Sequence, residues 1–168
     1  MQQHELTEVD IKKMQEEIDY LIKEVTPQLR EELQRARALG DLSENDEYRT
    51  LKRELNRTYS RIRYLQNMIN NAVVIKVESE EDKIGLFDTV KLYDEESGEE
   101  QTVKIVTTLR SDPLSGLISK ESPFGRALLG KKVGDRVKIE VNDKYSYYVV
   151  VKEIEKGTDD ESLEINKF

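Results

Sequence analysis

The chain contains no cysteine, no tryptophan, a single histidine and three prolines. Without cysteine there is no disulfide and no thiolate metal site. The lone His4 lies near the N-terminus, where fraying is expected, so a histidine-based nucleophile or metal cluster is not available. No glycine-rich phosphate loop of the Walker or dinucleotide type occurs. No apolar run approaches the ~18–20 residues that span a bilayer, and the N-terminus lacks a signal-peptide pattern. The expectation is a soluble cytoplasmic chain with no membrane partner. Basic excess is also missing: 27 Lys and Arg face 35 Asp and Glu, a net charge of −8, which argues against autonomous duplex DNA binding. Hydrophobic residues make up 36% and charged residues 37% of 168 residues, too lean for one large core. An extended element plus a small compact domain fits better.

Two helical stripes account for the first half of the chain. Thr7 with Asp10 is an approximate capping box, and Ile11, Met14, Ile18, Leu21 and Val25 follow at spacings of three and four. The stripe changes phase near Thr26-Pro27 and resumes with Leu29, Leu33, Ala36 and Leu39. A kink or restart is expected there, because proline cannot donate and its ring crowds the preceding turn. Gly40 can end this helix and Ser43 can cap the next. Tyr48, Leu51, Leu55, Thr58, Ile62, Leu65, Ile69 and Ala72 then form the second stripe. Two such helices joined by a few residues zip together antiparallel, which predicts a coiled-coil hairpin over 1–75.

After Asn70-Asn71 the period changes to two. Val73-Val77, Phe87-Tyr93, Gln101-Thr107, Val137-Val141 and Tyr145-Val151 read as strands, with Ser122-Pro123 opening a short helix through Leu129. The prediction is an α+β chain whose second domain, over 76–156, is small and antiparallel with one helix. Residues 157–168 are acidic and aperiodic and are expected to be mobile. Tyr145, Tyr147 and Tyr148 alternate with valines and read as strand packing.

Charge is segregated along this layout. Asp41, Glu44, Asp46 and Glu47 crowd the turn between the helices, at 41–47. Acids at a helix N-terminus are favoured by the dipole by ~0.3–1 kcal/mol each, which accounts for most of them. It does not account for Asp41, which precedes Ser43, nor for acids crowning the end of a long helical pair. Mg²⁺ is typically held by one or two carboxylates with phosphate oxygens and water, so such a turn can complete a metal site supplied mostly by a partner. Just behind it, Arg49, Lys52, Arg53, Arg57, Arg61 and Arg63 stand against Glu54 alone, with Arg35 and Arg37 on the opposite helix. That basic face suits phosphate tracking as well as solvation.

With these pieces placed, the chain resembles the Gre family of bacterial transcript-cleavage factors, of GreA type. Gly40-Asp41-Leu42-Ser43-Glu44-Asn45 through Glu47-Tyr48 is similar to the family's tip signature, with Asp46 where a small residue is usual. Ile118-Ser119 through Ser122-Pro123-Phe124-Gly125-Arg126-Ala127-Leu128-Leu129-Gly130 and on to Asp135 is similar to its C-terminal signature. The resemblance implies an FKBP-like second domain and a monomer that works on bacterial RNA polymerase. In that picture the coiled coil enters the secondary channel, and Asp41 and Glu44 help bind the second catalytic Mg²⁺, with no tight site in the isolated chain. The polymerase then cleaves the backtracked RNA at its 3′ end, so the factor is an accessory rather than an enzyme. The basic region of Arg37, Arg49, Lys52 and Arg53 is implied to contact that RNA, and Ser122 and Pro123 to dock on polymerase. Leu109 and Arg110 stand where the family usually carries more acid. Together with Asp46, they raise a channel-blocking inhibitor as the alternative, ahead of a coiled-coil adaptor unrelated to transcription.

Overall fold

The computed structural model describes residues 2–40, 45–159 and 161–167. It divides the chain into two units, one built on Ile11–Ala72 and the other on His4–Asp10 together with Val73–Lys167. The division differs from a single boundary at residue 75. The reason is a short parallel pair, β1 (Glu5–Leu6) with β2 (Val73–Val74), which ties the first residues to the second unit.

The first unit is the helical hairpin. Helix α1 (Glu8–Tyr20) passes into a π-helical turn at Leu21–Val25, and α2 (Thr26–Arg37) restarts with Pro27 in its first turn. The Thr26 N–H donates to the Leu21 carbonyl, a five-residue step. Proline lacks the N–H that an α-helix needs at position 27, and the widened turn absorbs the interruption and the phase shift together. Helix α3 (Asp46–Asn70) returns along the other side. Met14, Ile18, Leu21 and Ala36 are buried on the first arm, and Leu55, Ile62, Leu65 and Met68 on the second. Thr58, the polar break in the stripe, is buried too, its hydroxyl donating to the Glu54 carbonyl at 2.9 Å. Leu39 does not join the stripe; α2 has ended, and Leu39 is 74% exposed.

The second unit is a five-stranded mixed sheet in the order β5-β4-β3-β7-β6. The strands are β3 (Thr89–Asp94), β4 (Glu100–Val106), β5 (Leu117–Ser119), β6 (Arg136–Asn142) and β7 (Tyr145–Glu155). One helix, α4 (Pro123–Leu128), packs against β6 and β5. The sheet is not wholly antiparallel, since β5 lies parallel to β4. The sequence hides this strand because three residues flanked by turns carry no measurable period.

The register of β3 on β7 shifts between Lys91 and Leu92, leaving Lys152 as an extra residue opposite no partner. This bulge keeps Ile154 opposite buried Val90, where an unbroken register would place Glu153. A second irregularity near Val141 in the β6-β7 pairing adds twist at the sheet edge. Val90, Leu92, Ile105, Leu128, Val149 and Val151 form the core at 0% exposure. Each contributes ~1.5–3 kcal/mol by burial.

Two carboxylates are buried with this core. Asp88 accepts from the N–H groups of Gly85 (2.7 Å) and Gly157 (3.0 Å) and from the Lys156 ammonium. Gly157 must be glycine, since a Cβ there would lie 2.0 Å from the Phe87 carbonyl oxygen. Asp10 completes the capping box read from the sequence: Thr7 N–H donates to its carboxylate at 2.9 Å, and its own N–H donates to the Thr7 hydroxyl at 3.2 Å. The stretch after residue 157, expected to be mobile, carries specific contacts. Asp159 pairs with Arg110, Asn166 donates to the Leu109 carbonyl at 2.8 Å, and Leu163 packs against the core.

Among the described residues, no helix is long and apolar enough to cross a membrane. Leu65 is the best-enclosed aliphatic of the α3 stripe, at 0% exposure. Leu65→Ala is expected to destabilise the hairpin by about 3 kcal/mol, read by chemical denaturation followed through helical circular dichroism.

Candidate functional site

Asp41, Leu42, Ser43 and Glu44 lie outside the described residues, so the structure says nothing of the two carboxylates expected to carry the chemistry. It does describe what holds the ends of that segment. Gly40 has φ +128°, a conformation that side chains other than hydrogen rarely adopt. On the far side Asn45, not Ser43, is the residue whose side chain caps α3. Its Oδ1 accepts from the Tyr48 N–H at 3.0 Å, and its Nδ2 donates across the hairpin to the Ala36 carbonyl at 2.8 Å. One side chain thus caps one helix and adds a donor to the Ala36 carbonyl of the other, which also accepts from the Leu39 N–H at 3.2 Å. The sequence signal was present, since Asn ranks with Ser as a cap. Asn45→Ala is expected to cost about 1 kcal/mol, seen as a lower melting temperature for the helical signal.

The basic residues next to this turn divide into two groups. Arg37, at the end of α2, and Arg49, Lys52, Arg53 and Arg57, on α3, are exposed. Arg49 pairs with Asp46 at 2.5 Å, and Lys52 lies over the Tyr48 ring at 5.9 Å. Arg61 leaves the group: it is buried, and its guanidinium pairs with Glu17 of α1 at 2.9 Å. The four-residue spacing that extends a basic stripe to Arg61 also rotates it toward the facing helix, because 3.6 residues make a turn. Asp46 likewise has a local role, in the first turn of α3 and neutralised by Arg49.

In the second unit, Ser122 and Pro123 form the start of α4. The Ser122 hydroxyl accepts from the Gly125 N–H at 3.1 Å and donates to the Ser119 carbonyl at 2.7 Å, while Pro123 occupies the first helical turn. A Cβ on Gly125 would come within 2.1 Å of the Ser119 carbonyl oxygen, so the helix start can sit against that backbone only as glycine. Ser122 therefore spends its hydrogen bonds inside the fold, and Pro123 is the exposed member of the pair. An open groove of about 900 Å³ runs beside it, lined by Leu114, Ile118, Phe124, Ile139, Val141 and Tyr147 among others. Leu114 stands fully exposed on its rim. A more polar recess of about 650 Å³ shares Pro123 and is lined by Lys138, Glu140, Asn142 and Tyr145.

His4, expected in a frayed terminus, is held instead. Its Nδ1 lies 3.0 Å from the Glu121 carboxylate, and its carbonyl accepts from the Val73 N–H at 2.9 Å. Burial alone pushes the Glu121 carboxyl up, but hydrogen bonds from Thr108 and His4, with the charges of His4 and Lys120, hold it below its ordinary value. At the polar recess, Tyr145 donates to Glu96, and this bond, assisted by burial and the charges of Glu96 and Asp94, pushes the phenol up to about 12. A raised phenol keeps its proton, and the bond, below the usual range of tyrosine and loses both only as the pH passes about 12. Glu96→Gln is expected to bring one tyrosine back to ordinary ionisation, visible as tyrosinate absorbance appearing at lower pH, with Tyr145→Phe removing that component.

Among the described residues, no group of three or more acidic or histidine side chains is arranged to hold a metal ion. The site the chain offers is thus a capped helical turn flanked by exposed cations, and a groove beside a proline-started helix.

Among the described residues the chain comprises a helical hairpin and a five-stranded mixed sheet with an open groove beside α4. Two family models cover it: "Transcription elongation factor, N-terminal" over residues 4–74, and "Transcription elongation factor, GreA/GreB, C-term" over residues 78–156. The chain belongs to the GreA/GreB family of transcription elongation factors. It is 45% identical to transcription elongation factor GreA of Thermoanaerobacter pseudethanolicus over 137 residues, covering 81% of this chain and 87% of that protein. It is 40% identical to the GreA of Mycoplasmopsis pulmonis, covering 84% of this chain and 89% of that one. The solved structure of the GreA factor homolog Gfh1 of Thermus thermophilus is 27% identical, covering 92% of this chain and all of that one, at a TM-score of 0.43, too low to bear on the fold.

Proposed function

We propose that the protein acts on bacterial RNA polymerase as an elongation factor that stimulates cleavage of backtracked nascent RNA. Family membership over nearly the whole chain is the observation that carries this reading. The hairpin reaches the polymerase active centre through the secondary channel, and the second domain docks at the rim with the Pro123 corner. Exposed Arg37, Arg49, Lys52 and Arg53 stand behind the turn, where they meet the phosphates of the extruded RNA 3′ end. Asp41 and Glu44 join polymerase carboxylates in holding a second Mg²⁺, whose chemistry is to supply an activated water and to stabilise the leaving oxygen. Asn45 and Gly40 position the ends of the segment that carries both carboxylates. The protein makes no cleavage site of its own; it completes one, as a monomer.

The inhibitor reading rested on Asp46 and Arg110, and both have roles within the fold. Asp46 is paired with Arg49, and Arg110 is buried between carboxylates.

The test uses a stalled, backtracked polymerase complex with labelled RNA, Mg²⁺ and the purified protein. Release of short 3′ fragments is expected, falling on the order of a hundredfold with Asp41→Asn or Glu44→Gln, the scale of losing one electrostatic group at a reacting centre. Slowed elongation without fragments would instead identify a channel-blocking inhibitor.

A further inference from the structure

The match to the family's C-terminal model ends at residue 156, yet residues beyond it close a buried charge cluster. Arg110 ends a short 3₁₀ turn, Thr108–Arg110, with its side chain 1% exposed. Its Nε donates to Asp10 at 2.8 Å. Its two terminal nitrogens both face Asp159, Nη2 donating to Oδ2 at 2.7 Å and Nη1 to the other oxygen. The Thr7 hydroxyl donates to the same Asp159 Oδ2 at 2.9 Å. Asp10 is satisfied separately, by the Thr7 N–H and by the Thr107 hydroxyl at 3.1 Å. Below the guanidinium lies the Phe87 ring, 5.2 Å from its carbon. Phe87 itself has φ +69°, a strained value for an aromatic residue, and is held there by its N–H on the Ile105 carbonyl at 2.7 Å.

A bidentate guanidinium, a converging hydroxyl and an aromatic floor, all fixed by other bonds, are the parts of a carboxylate-binding site. We propose that Arg110 and Thr7 form such a site and that the chain fills it with its own Asp159, which makes the segment after β7 a strap closing the second domain. The strap has an independent second anchor on the same turn: the Asn166 backbone N–H donates to the Leu109 carbonyl at 2.8 Å, and its side-chain amide to the Thr108 carbonyl at 3.2 Å. Leu163, between the anchors, packs against the core. Of the two carboxylates that hold Arg110, Asp10 lies within the family's N-terminal domain and Asp159 beyond its C-terminal one.

A site, unlike a simple contact, accepts a substitute ligand, so the test is chemical rescue in the full chain. Asp159→Gly removes the carboxylate and leaves its space. It is expected to lower the melting temperature by about 10 °C, as loss of one partner from a buried pair does. Sodium formate, compared with sodium chloride at equal ionic strength, is expected to recover part of that loss saturably. It should have no such effect on Asp159→Asn, whose amide still fills the space, or on Asp159→Gly combined with Arg110→Met. A melting temperature unchanged by Asp159→Gly, or a formate effect equal in all variants, would overturn the proposal. Should Asp159→Gly fail to fold, hydrogen exchange at the Asn166 amide decides: faster exchange in Asp159→Asn supports the strap, and unchanged exchange refutes it.

Discussion

Asp10 and Asp88 lie at 0% exposure, and a carboxylate taken out of water must be met by donors or give up its charge. Much of the second domain is arranged around that requirement. Asp88 is met by two backbone N–H groups and Lys156, whose ammonium also reaches the carbonyls of Glu80 and Lys83. Asp10 is met by the first turn of its own helix, by Thr107 and by Arg110. Burial works against the Arg110 charge, but Asp159 and Asp10 more than restore it and leave the guanidinium harder to deprotonate than usual. Through these two carboxylates the start of α1, the loop before β3, the turn after β4 and the segment after β7 are held to one core.

The hairpin solves a different problem with similar means. The helix termini on either side of the turn carry backbone groups that the helices' own ladders do not fully use. Asn45 meets one of each, and the exposed cations behind it offset the negative charge of the turn without entering the apolar seam. Arg61 shows where that seam begins: the same residue type, one turn further along, becomes an internal ion pair with Glu17.

Much of this was legible in the residues. The change of period at Asn70-Asn71 separates helices from strands, the Thr7-Asp10 box is formed, and Ser122-Pro123 with Gly130 bounds α4 as read. What escaped the sequence was non-local. Nothing near His4 announces Glu121, and nothing near Arg110 announces Asp159; each pair is separated by dozens of residues that only the fold brings together. Strand β5 is too short for a periodic signal, and the Lys152 bulge is visible only once β7 is laid on β3. The contacts of the acidic segment after residue 157 were not legible either, because composition reports average solvation and gives no sign of a bidentate partner such as Arg110.

The hairpin Ile11–Ala72 is in effect an insertion within the second domain, whose pieces come from residues 4–10 and from residue 73 onward. Its helices contact near neighbours along the chain, and such local structure forms quickly. The sheet domain closes over longer separations: β1 pairs with β2 across the whole hairpin, and Thr7 bonds Asp159, 152 residues further on. Pairing the two arms of the hairpin shortens the loop that the β1-β2 contact must close.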